Sequence, residues 1–366
     1  AIGTSALGSN TTGASNIAIG KNALVVNTTG TRNIAMGTSA LDANTTAGNN
    51  ISIGVASLTT NTTGANNIAI GDQALSANTT ASNNTAVGTS SLLANTTGTS
   101  NVAVGANALD ANTTAANNTA VGYSSLGANT TGAYNTAVGS LAGDALTVGS
   151  QNIAIGYSAL TSDTKGSKSI AIGESALYTQ NFTTATDTYN VAVGENAGMS
   201  VTTGLRNTII GGLAGDALTD ADNNVALGYN ALGADTLGSA NVAVGQGTLQ
   251  AQNFTSATTS YNTAMGHQAG NQVTTGTTNT LIGGLAGDAI TTGNRNTALG
   301  QSALGATTTA NDTVGIGHNA LALNTTGANN TSVGTYSLAT NSTGANNTAV
   351  GYSAGTAVTT GVHNTF

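Results

Sequence analysis

The chain has 366 residues, of which only 5% are charged and 3% aromatic, and it contains no Pro and no Cys. Its formal net charge is −8, and its Lys and Arg residues are isolated from one another, so no basic stripe exists for a nucleic-acid backbone. The lack of Cys excludes disulfides and thiolate metal sites. No apolar run approaches the ~18 residues that a membrane-spanning helix requires.

A five-residue stretch at 16–20, Asn-Ile-Ala-Ile-Gly, recurs along the whole chain. Its closing Gly returns at a constant interval, which runs from Gly3 to Gly20 and repeats as far as Gly351, except for two longer intervals that begin at Gly173 and Gly245. A fixed period of this kind is typical of a solenoid. We therefore predict an all-β parallel β-solenoid (a β-roll) of about 21 coils without independent domains.

Residues 1–366 also show a longer period, because Leu-Ala-Gly-Asp-Ala recurs at 141–145, 213–217 and 285–289. This spacing indicates duplication of four-coil blocks. The chain starts without Met in mid-repeat, which favours a processed or trimmed part of something longer. The array then has four parts, namely regular coils at 1–173, four-coil blocks at 173–245 and 245–317, and regular coils at 317–366.

Positions in each coil are counted from its Gly as 0. Position −1 is always Ile, Val, Leu or Met, and position −3 is Ile, Val or Thr. Alternate residues of a strand share a face, so we predict that −3 and −1 point into the core. Position −2, mostly Ala, should then face outward against another chain, and Glu at Ala86, Ala103 and Ala120 should separate the chains.

Position −4 is Asn in almost every coil, and stacked amides can hydrogen-bond along a column of coils. We predict a structural ladder here, since so many copies do not suit catalysis. Its first eight members are Asn16, Asn33, Asn50, Asn67, Asn84, Asn101, Asn118 and Asn135.

The rest of the coil predicts a corner, a short strand and a polar turn. Gly at 0 suits positive φ or a close backbone approach, and positions +2 to +5 are expected to form the second strand. Position +4 is Leu when +7 is polar and Gly when +7 is aliphatic, which indicates that +4 and +7 compete for one interior space. Asn-Thr-Thr after the second strand is typical of a turn.

The two long coils insert four residues each. One interpretation is a pair of protruding contact loops, and the favoured alternative is a bulge in which each Phe packs beneath a neighbouring Tyr. A row of Tyr at position +1 could contact glycans or partners, or be an ordinary rim. The residues of the candidate loops are Phe182, Tyr189, Phe254 and Tyr261.

Asn-x-Thr sequons recur in the polar turn and could carry N-glycans, although Asn chosen for its turn conformation is the favoured interpretation. The three His and the scattered Asp lack metal-ligand spacing, and no catalytic triad or phosphate loop occurs, so we expect no catalytic, metal or cofactor site. The sequon residues are Asn10, Asn27, Asn44, Asn61, Asn78, Asn95, Asn112, Asn129, Asn324 and Asn341.

The unit Asn-Thr-Ala-Val-Gly-Tyr-Ser-Ser-Leu at 118–126 resembles the β-roll head of trimeric autotransporter adhesins, the YadA-head family. It is also similar to Asn-Thr-Ala-Val-Gly repeat regions of phage tail fibres and related surface proteins. The resemblance implies a left-handed β-roll, a homotrimer and attachment to host surfaces. This chain departs from that head type in its longer period, as from Gly122 to Gly139, where the head uses shorter coils.

We therefore expect a non-enzymatic, extracellular fibre or adhesin segment on a cell or virion surface. Self-association is expected as a homotrimer or an end-to-end filament, with a host-surface glycan or protein as a possible partner. The alternatives are a glycosylated self-assembling fibril, a phage tail-fibre shaft and an ice-binding solenoid. Ice binding suits the sequence less, since Thr11 and Thr12 would point to opposite faces in an extended strand.

Overall fold

A computed structural model describes all 366 residues, and it contains strands, turns and bends but no helix. The chain is an all-β parallel β-solenoid of about 20 turns, as the repeat predicted. Equivalent residues of successive regular coils, such as Asn27 and Asn44, are 17 residues apart. The chain divides into two compact units, Ala1–Thr188 and Tyr189–Phe366.

In the first unit, β1 to β9 pair in parallel and β9 pairs with β11, while β10 and β12 form a separate small sheet. The strands are β1 (Ile17–Ile19), β2 (Ile34–Met36), β3 (Ile51–Ile53), β4 (Ile68–Ile70), β5 (Thr85–Val87), β6 (Val102–Val104), β7 (Thr119–Val121), β8 (Thr136–Val138), β9 (Ile153–Ile155), β10 (Gly166–Ser167), β11 (Ile170–Ile172) and β12 (Thr186–Asp187).

In the second unit, the three-residue strands again pair in parallel and in sequence order, while β16 and β18 form a small sheet. The strands are β13 (Val191–Val193), β14 (Thr208–Ile210), β15 (Val225–Leu227), β16 (Gly238–Ser239), β17 (Val242–Val244), β18 (Thr258–Thr259), β19 (Thr263–Met265), β20 (Thr280–Ile282), β21 (Thr297–Leu299), β22 (Val314–Ile316), β23 (Thr331–Val333) and β24 (Thr348–Val350).

Each regular coil therefore has one strand, at positions −3 to −1, and the second strand predicted at +2 to +5 is absent. That segment is a turn because positions +2 and +4 lie in the left-handed region, for example Asn22 at φ 58° and Leu24 at φ 56°. Two such residues reverse the chain and prevent an extended conformation. Leu is not a residue that predicts this conformation, so the sequence alone did not reveal it.

The Gly at position 0 satisfies both reasons proposed for it. Gly71 has φ 139°, and a Cβ placed there would lie 2.4 Å from the carbonyl oxygen of Gly88 in the next coil. The same close approach to the following Gly recurs along the column. Any side chain at this position would push neighbouring coils apart and break their hydrogen bonds.

The predicted direction of the strand side chains is wrong. Ala103 at −2 is fully buried, whereas Val102 and Val104 at −3 and −1 are half-buried and point outward. The interior is narrow, because Leu at +4 already fills it, and a Cβ at Gly315 would lie only 3.1 Å from the side chain of Leu304. The larger aliphatic residues lie outside, where coils above and below half-cover them.

The row of Ala at −2 is consequently not an outer surface, and Glu at Ala86, Ala103 and Ala120 would place charges in the core rather than separate chains. In complete coils, large residues occur at −2 only where the +4 residue is Gly. Ile209 and Leu281 are fully buried at −2, and in both coils position +4 is Gly.

The exchange between +4 and +7 is confirmed in the same way. A Cβ at Gly143 would lie 3.1 Å from the side chain of Leu146, its partner at +7, and 3.2 Å from that of Leu126 in the preceding coil. The aliphatic residue at +7 therefore fills the volume that Leu at +4 occupies elsewhere.

The close approach between the backbones of neighbouring coils can be tested at two adjacent glycines. Gly283→Ala should lower the free energy of unfolding by about 3 kcal/mol or more, because its Cβ would lie 2.6 Å from the carbonyl of Gly300 at φ 134°. Gly284→Ala is the matched control, since nothing lies within 4 Å of its added Cβ, and its effect should stay within about 1 kcal/mol. Urea unfolding measures both, and equal losses would contradict the close approach.

Candidate functional site

The Asn at −4 joins each coil to itself and to the next. The Nδ2 of Asn33 donates to the carbonyl of Ala47 at 2.8 Å, and its Oδ1 accepts the backbone N–H of Asn50 at 2.9 Å. The same pair of contacts is made by all eight ladder residues predicted, from Asn16 to Asn135. In these eight residues the column is a ladder of amides bonded to backbone, whereas further along the chain Asn241 Nδ2 also donates to Asn224 Oδ1 at 3.2 Å.

The amide-to-amide ladder lies instead at position +7. Asn44 Nδ2 donates to Asn27 Oδ1 at 2.9 Å and to the carbonyl of Ala47 at 3.1 Å. The sequence pattern indicated these residues only as sequons and turn residues. The signal that could have identified them was the exchange with aliphatic residues at +7, which already placed this position inside the coil.

The sequon residues accordingly lie where a glycan does not fit the folded coil. Asn10 in the first coil is half-buried, and the other nine are fully buried. The side chain of Asn10 also accepts a hydrogen bond from Asn27 Nδ2 at 2.8 Å. An attached sugar would replace an interior hydrogen bond by a group far too large for the space.

The +7 amide ladder ends where the next coil has an aliphatic residue at +7. The Oδ1 atoms of Asn129 and Asn341 are buried without a partner, since Leu146 and Val358 follow them at +7. Before each long coil, an Asp accepts from a Gln instead. Gln252 Nε2 lies 2.5 Å from Asp235 Oδ2.

The aromatic residues of the two long coils differ in burial. Phe182 and Phe254 are buried, whereas Tyr189 and Tyr261 are 52% and 62% exposed. The bulge is held from within, because Asp163 Oδ1 accepts the backbone N–H of Phe182 at 3.1 Å. The Tyr rings therefore lie at the surface, where the contact-loop interpretation would place them.

The Tyr residues at position +1 are exposed, as a rim or contact row would be: Tyr123, Tyr157, Tyr229 and Tyr352. A tighter aromatic group, which sequence reasoning missed, joins His318, Tyr336 and Tyr352. Their rings meet edge to face at centroid distances of 5.2 Å and 6.4 Å. Tyr336 lies at +2 rather than +1, so the row was not visible as one column in the sequence.

One repeated surface is the outer strand face, which we define as the side chains at −3 and −1 of each unit's main sheet. In the first unit every −1 residue is Ile or Val apart from Met36, the −3 row is Ile or Val apart from three Thr, and neither row contains a charge. Ten strands about 4.8 Å apart and three residues wide cover roughly 480 Å². A monomer's largest apolar patch is usually about 300–600 Å² and is often functional.

No group of three or more His, Cys, Asp or Glu residues is placed to hold a metal ion. His267, His318 and His363 lie in separate coils. No helix suited to crossing a membrane is present. No protein-family model matches the chain, and no curated protein is significantly similar to it in sequence.

Burial raises the pKa of five carboxyls above the ordinary 3.8, against weaker opposing hydrogen bonds in each case: Asp42, Asp110, Asp216, Asp235 and Asp288. The hydrogen bond from Arg295 at the surface lowers the pKa of Asp312. A raised folded-state pKa means that the folded chain holds these protons more tightly than the unfolded chain. The stability that this contributes is fully present below 3.8 and is lost as pH rises through the folded pKa values.

We therefore expect the free energy of unfolding to rise as pH falls from 7 towards about 4, and loss of the net negative charge should act in the same direction. Urea midpoints across this range measure the effect. Asp235→Asn removes one titrating group and should reduce the slope. A midpoint that falls steadily with acidification would contradict the raised pKa values.

Proposed function

We propose that this chain is a non-enzymatic structural segment of an extracellular fibre or adhesin, located on a cell or virion surface. The observation that carries the proposal is that every main feature is repeated in coil after coil, including the buried amides and the outer strand face. An enzyme needs one irregular constellation of reactive groups. A repeated, internally hydrogen-bonded body instead suits a rigid support that holds surfaces away from an anchor.

Self-association through the outer strand face is the second part of the proposal. The proposed occupant of this face is a second and third copy of the chain, in the homotrimer that the resemblance to adhesin heads implies. The face has no charges, is aliphatic along its −1 row and is large enough to be a substantial apolar patch. Identical chains in parallel would match their repeats, about 4.8 Å each, along the whole contact.

A phage tail-fibre shaft would use the same physical properties and differs only in the particle that carries it. The glycosylated fibril has less support, because nine of the ten sequon residues are buried. Ice binding needs a flat array of freely exposed Thr. Thr at position +9, such as Thr29, is exposed, but the neighbouring hydroxyls at position +8 are engaged between coils, as in Thr28, whose Oγ1 donates to the carbonyl of Thr45 at 3.1 Å, so a single exposed row is left.

The association proposal is tested with two variants of the same coils. Val87→Glu with Val121→Glu adds two charges to the outer strand face, while Thr97→Glu with Thr131→Glu adds two charges at exposed positions on the polar turn. Sedimentation equilibrium should give a mass of three chains for the wild type and the Thr variant, and of one chain for the Val variant. A wild-type monomer, or equal effects of both variants, would contradict it.

The fibre proposal is tested on the source itself. Gold-labelled antibodies against this chain should decorate filaments projecting from a cell or virion in electron micrographs. Label confined to the cell interior would contradict an extracellular role. Thermal hysteresis in dilute solution would instead favour ice binding.

A further inference from the structure

A shallow pocket of about 390 Å³ interrupts the regular surface of the second unit. It lies over positions +5 and +6 of successive coils, and its wall includes Asp216, Gly233 and Gln250, which all occupy position +5. Gly233 has no side chain in that column, and the Asn230 side chain lies over it, since a Cβ at Gly233 would lie 1.8 Å from Asn230 Oδ1. The volume is within the range of about 300–1,000 Å³ typical of small-molecule sites.

Side-chain amides and one carboxylate line the pocket. Asn271 Nδ2 donates to Gln250 Oε1 and to the carbonyl of Gly247, both at 3.0 Å, and Gln272 Nε2 donates to Asn271 Oδ1 at 2.5 Å. These bonds hold Asn271 and orient Gln250 and Gln272. They leave Gln250 Nε2 as a donor and Gln272 Oε1 as an acceptor for a bound molecule.

The Asp216 carboxylate lacks part of its hydrogen bonding. Its Oδ1 is buried in the pocket wall without a hydrogen-bond partner, and burial raises the pKa of the group. Rotation about the Cβ–Cγ bond is soft for Asp and can turn either oxygen toward the pocket. A hydroxyl donor placed there would compensate a polar atom that now has no partner.

The lining also limits the class of ligand. It contains one acidic side chain and no basic one, so an anionic ligand would be repelled. A hard cation such as Ca²⁺ prefers six to eight oxygen ligands with several carboxylates, and only one carboxylate lines the pocket. Neutral hydroxyl groups, each of which donates and accepts, match the mixture of amide donors and acceptors and the carboxylate.

We propose that this pocket, which we call the Gly233 pocket, binds one neutral saccharide unit through its hydroxyl groups. Asp216 accepts from hydroxyls, and the Gln250 and Gln272 amides contact neighbouring ones. Asn230, which lies over Gly233, adds a further amide to the wall. The inference deepens the proposed attachment role, on which it rests for its biological meaning, by naming the class of surface component that is bound.

The next four-coil block offers a matched control. Asp288 and Gly305 occupy the positions equivalent to Asp216 and Gly233, but Ala322 stands where the pocket has Gln250. The Asp288 carboxyl likewise has a pKa raised by burial. Asp288→Asn and Gly305→Thr therefore repeat the substitutions made at Asp216 and Gly233, at a place that lacks the Gln250 amide.

The experiment is saturation-transfer NMR on the full chain with methyl glycosides of neutral hexoses and N-acetylhexosamines, with and without a chelator. At least one glycoside should bind the wild type. Asp216→Asn should weaken its binding about tenfold, as expected for loss of a charge-assisted hydrogen bond. Gly233→Thr should abolish it, because the added side chain would displace Asn230 into the pocket, and Thr161 at the same position of another coil indicates that the fold accepts this residue. Both control variants should bind within about twofold of wild type.

No binding by the wild type would overturn the proposal, as would equal loss in the variants and their controls, or binding that Gly233→Thr leaves unchanged. Binding abolished by the chelator would show that a cation carries it, which also overturns direct recognition. The trimer and the fibre location are measured separately, so a negative result here leaves them standing.

Discussion

The interior of each coil is narrow, because the volume beside position +4 is filled either by Leu at +4 or by an aliphatic residue at +7, and the rest of the structure depends on this constraint. Where Leu occupies +4, the residue at −2 is small, as in the pair Ala69 and Leu75, both fully buried. Where Ile209 occupies −2, position +4 is Gly215, and a Cβ there would lie 3.4 Å from Ile209. Volume, rather than hydrophobicity alone, therefore decides which residue faces inward.

A core this narrow cannot bury much apolar surface, and hydrogen bonds within and between coils account for much of the remaining contact. Asn33 contributes two, one that closes its coil and one that reaches the next. Such buried amides are stabilising only while each is satisfied. Gly at position 0 maintains the spacing that these bonds need, since any side chain there would meet the neighbouring backbone.

The sequence was informative where a residue type has few physical explanations. An unbroken period predicted the solenoid, Gly at 0 predicted a close approach, and the exchange of +4 with +7 predicted a shared interior space. The sequence was misleading where hydrophobicity and side-chain volume favour different residues for the interior. Aliphatic residues such as Val102 and Val104 looked like core because they are larger than Ala103, yet only a small residue fits at −2 beside a Leu at +4.

Other features had no local signal. Leu24 in the left-handed region turned an expected second strand into a turn. The +7 amide ladder was hidden beneath a sequon pattern. The Gly233 pocket depends on four coils together, because its lining residues run from Asp216 to Gln272. Residues far apart in sequence therefore define this irregular feature of an otherwise regular surface.

Two adjacent residues of the same type offer the most direct measurement of the central claim. Ile209 is fully buried at −2, whereas Ile210 at −1 is half-buried on the outer strand face. Ile209→Ala should lower the free energy of unfolding by about 2–5 kcal/mol, because truncating this fully buried side chain leaves a cavity beside Gly215 and Leu218. Ile210→Ala should cost less than half as much when both are measured in urea. A larger loss at Ile210 would mean that the strand faces the other way.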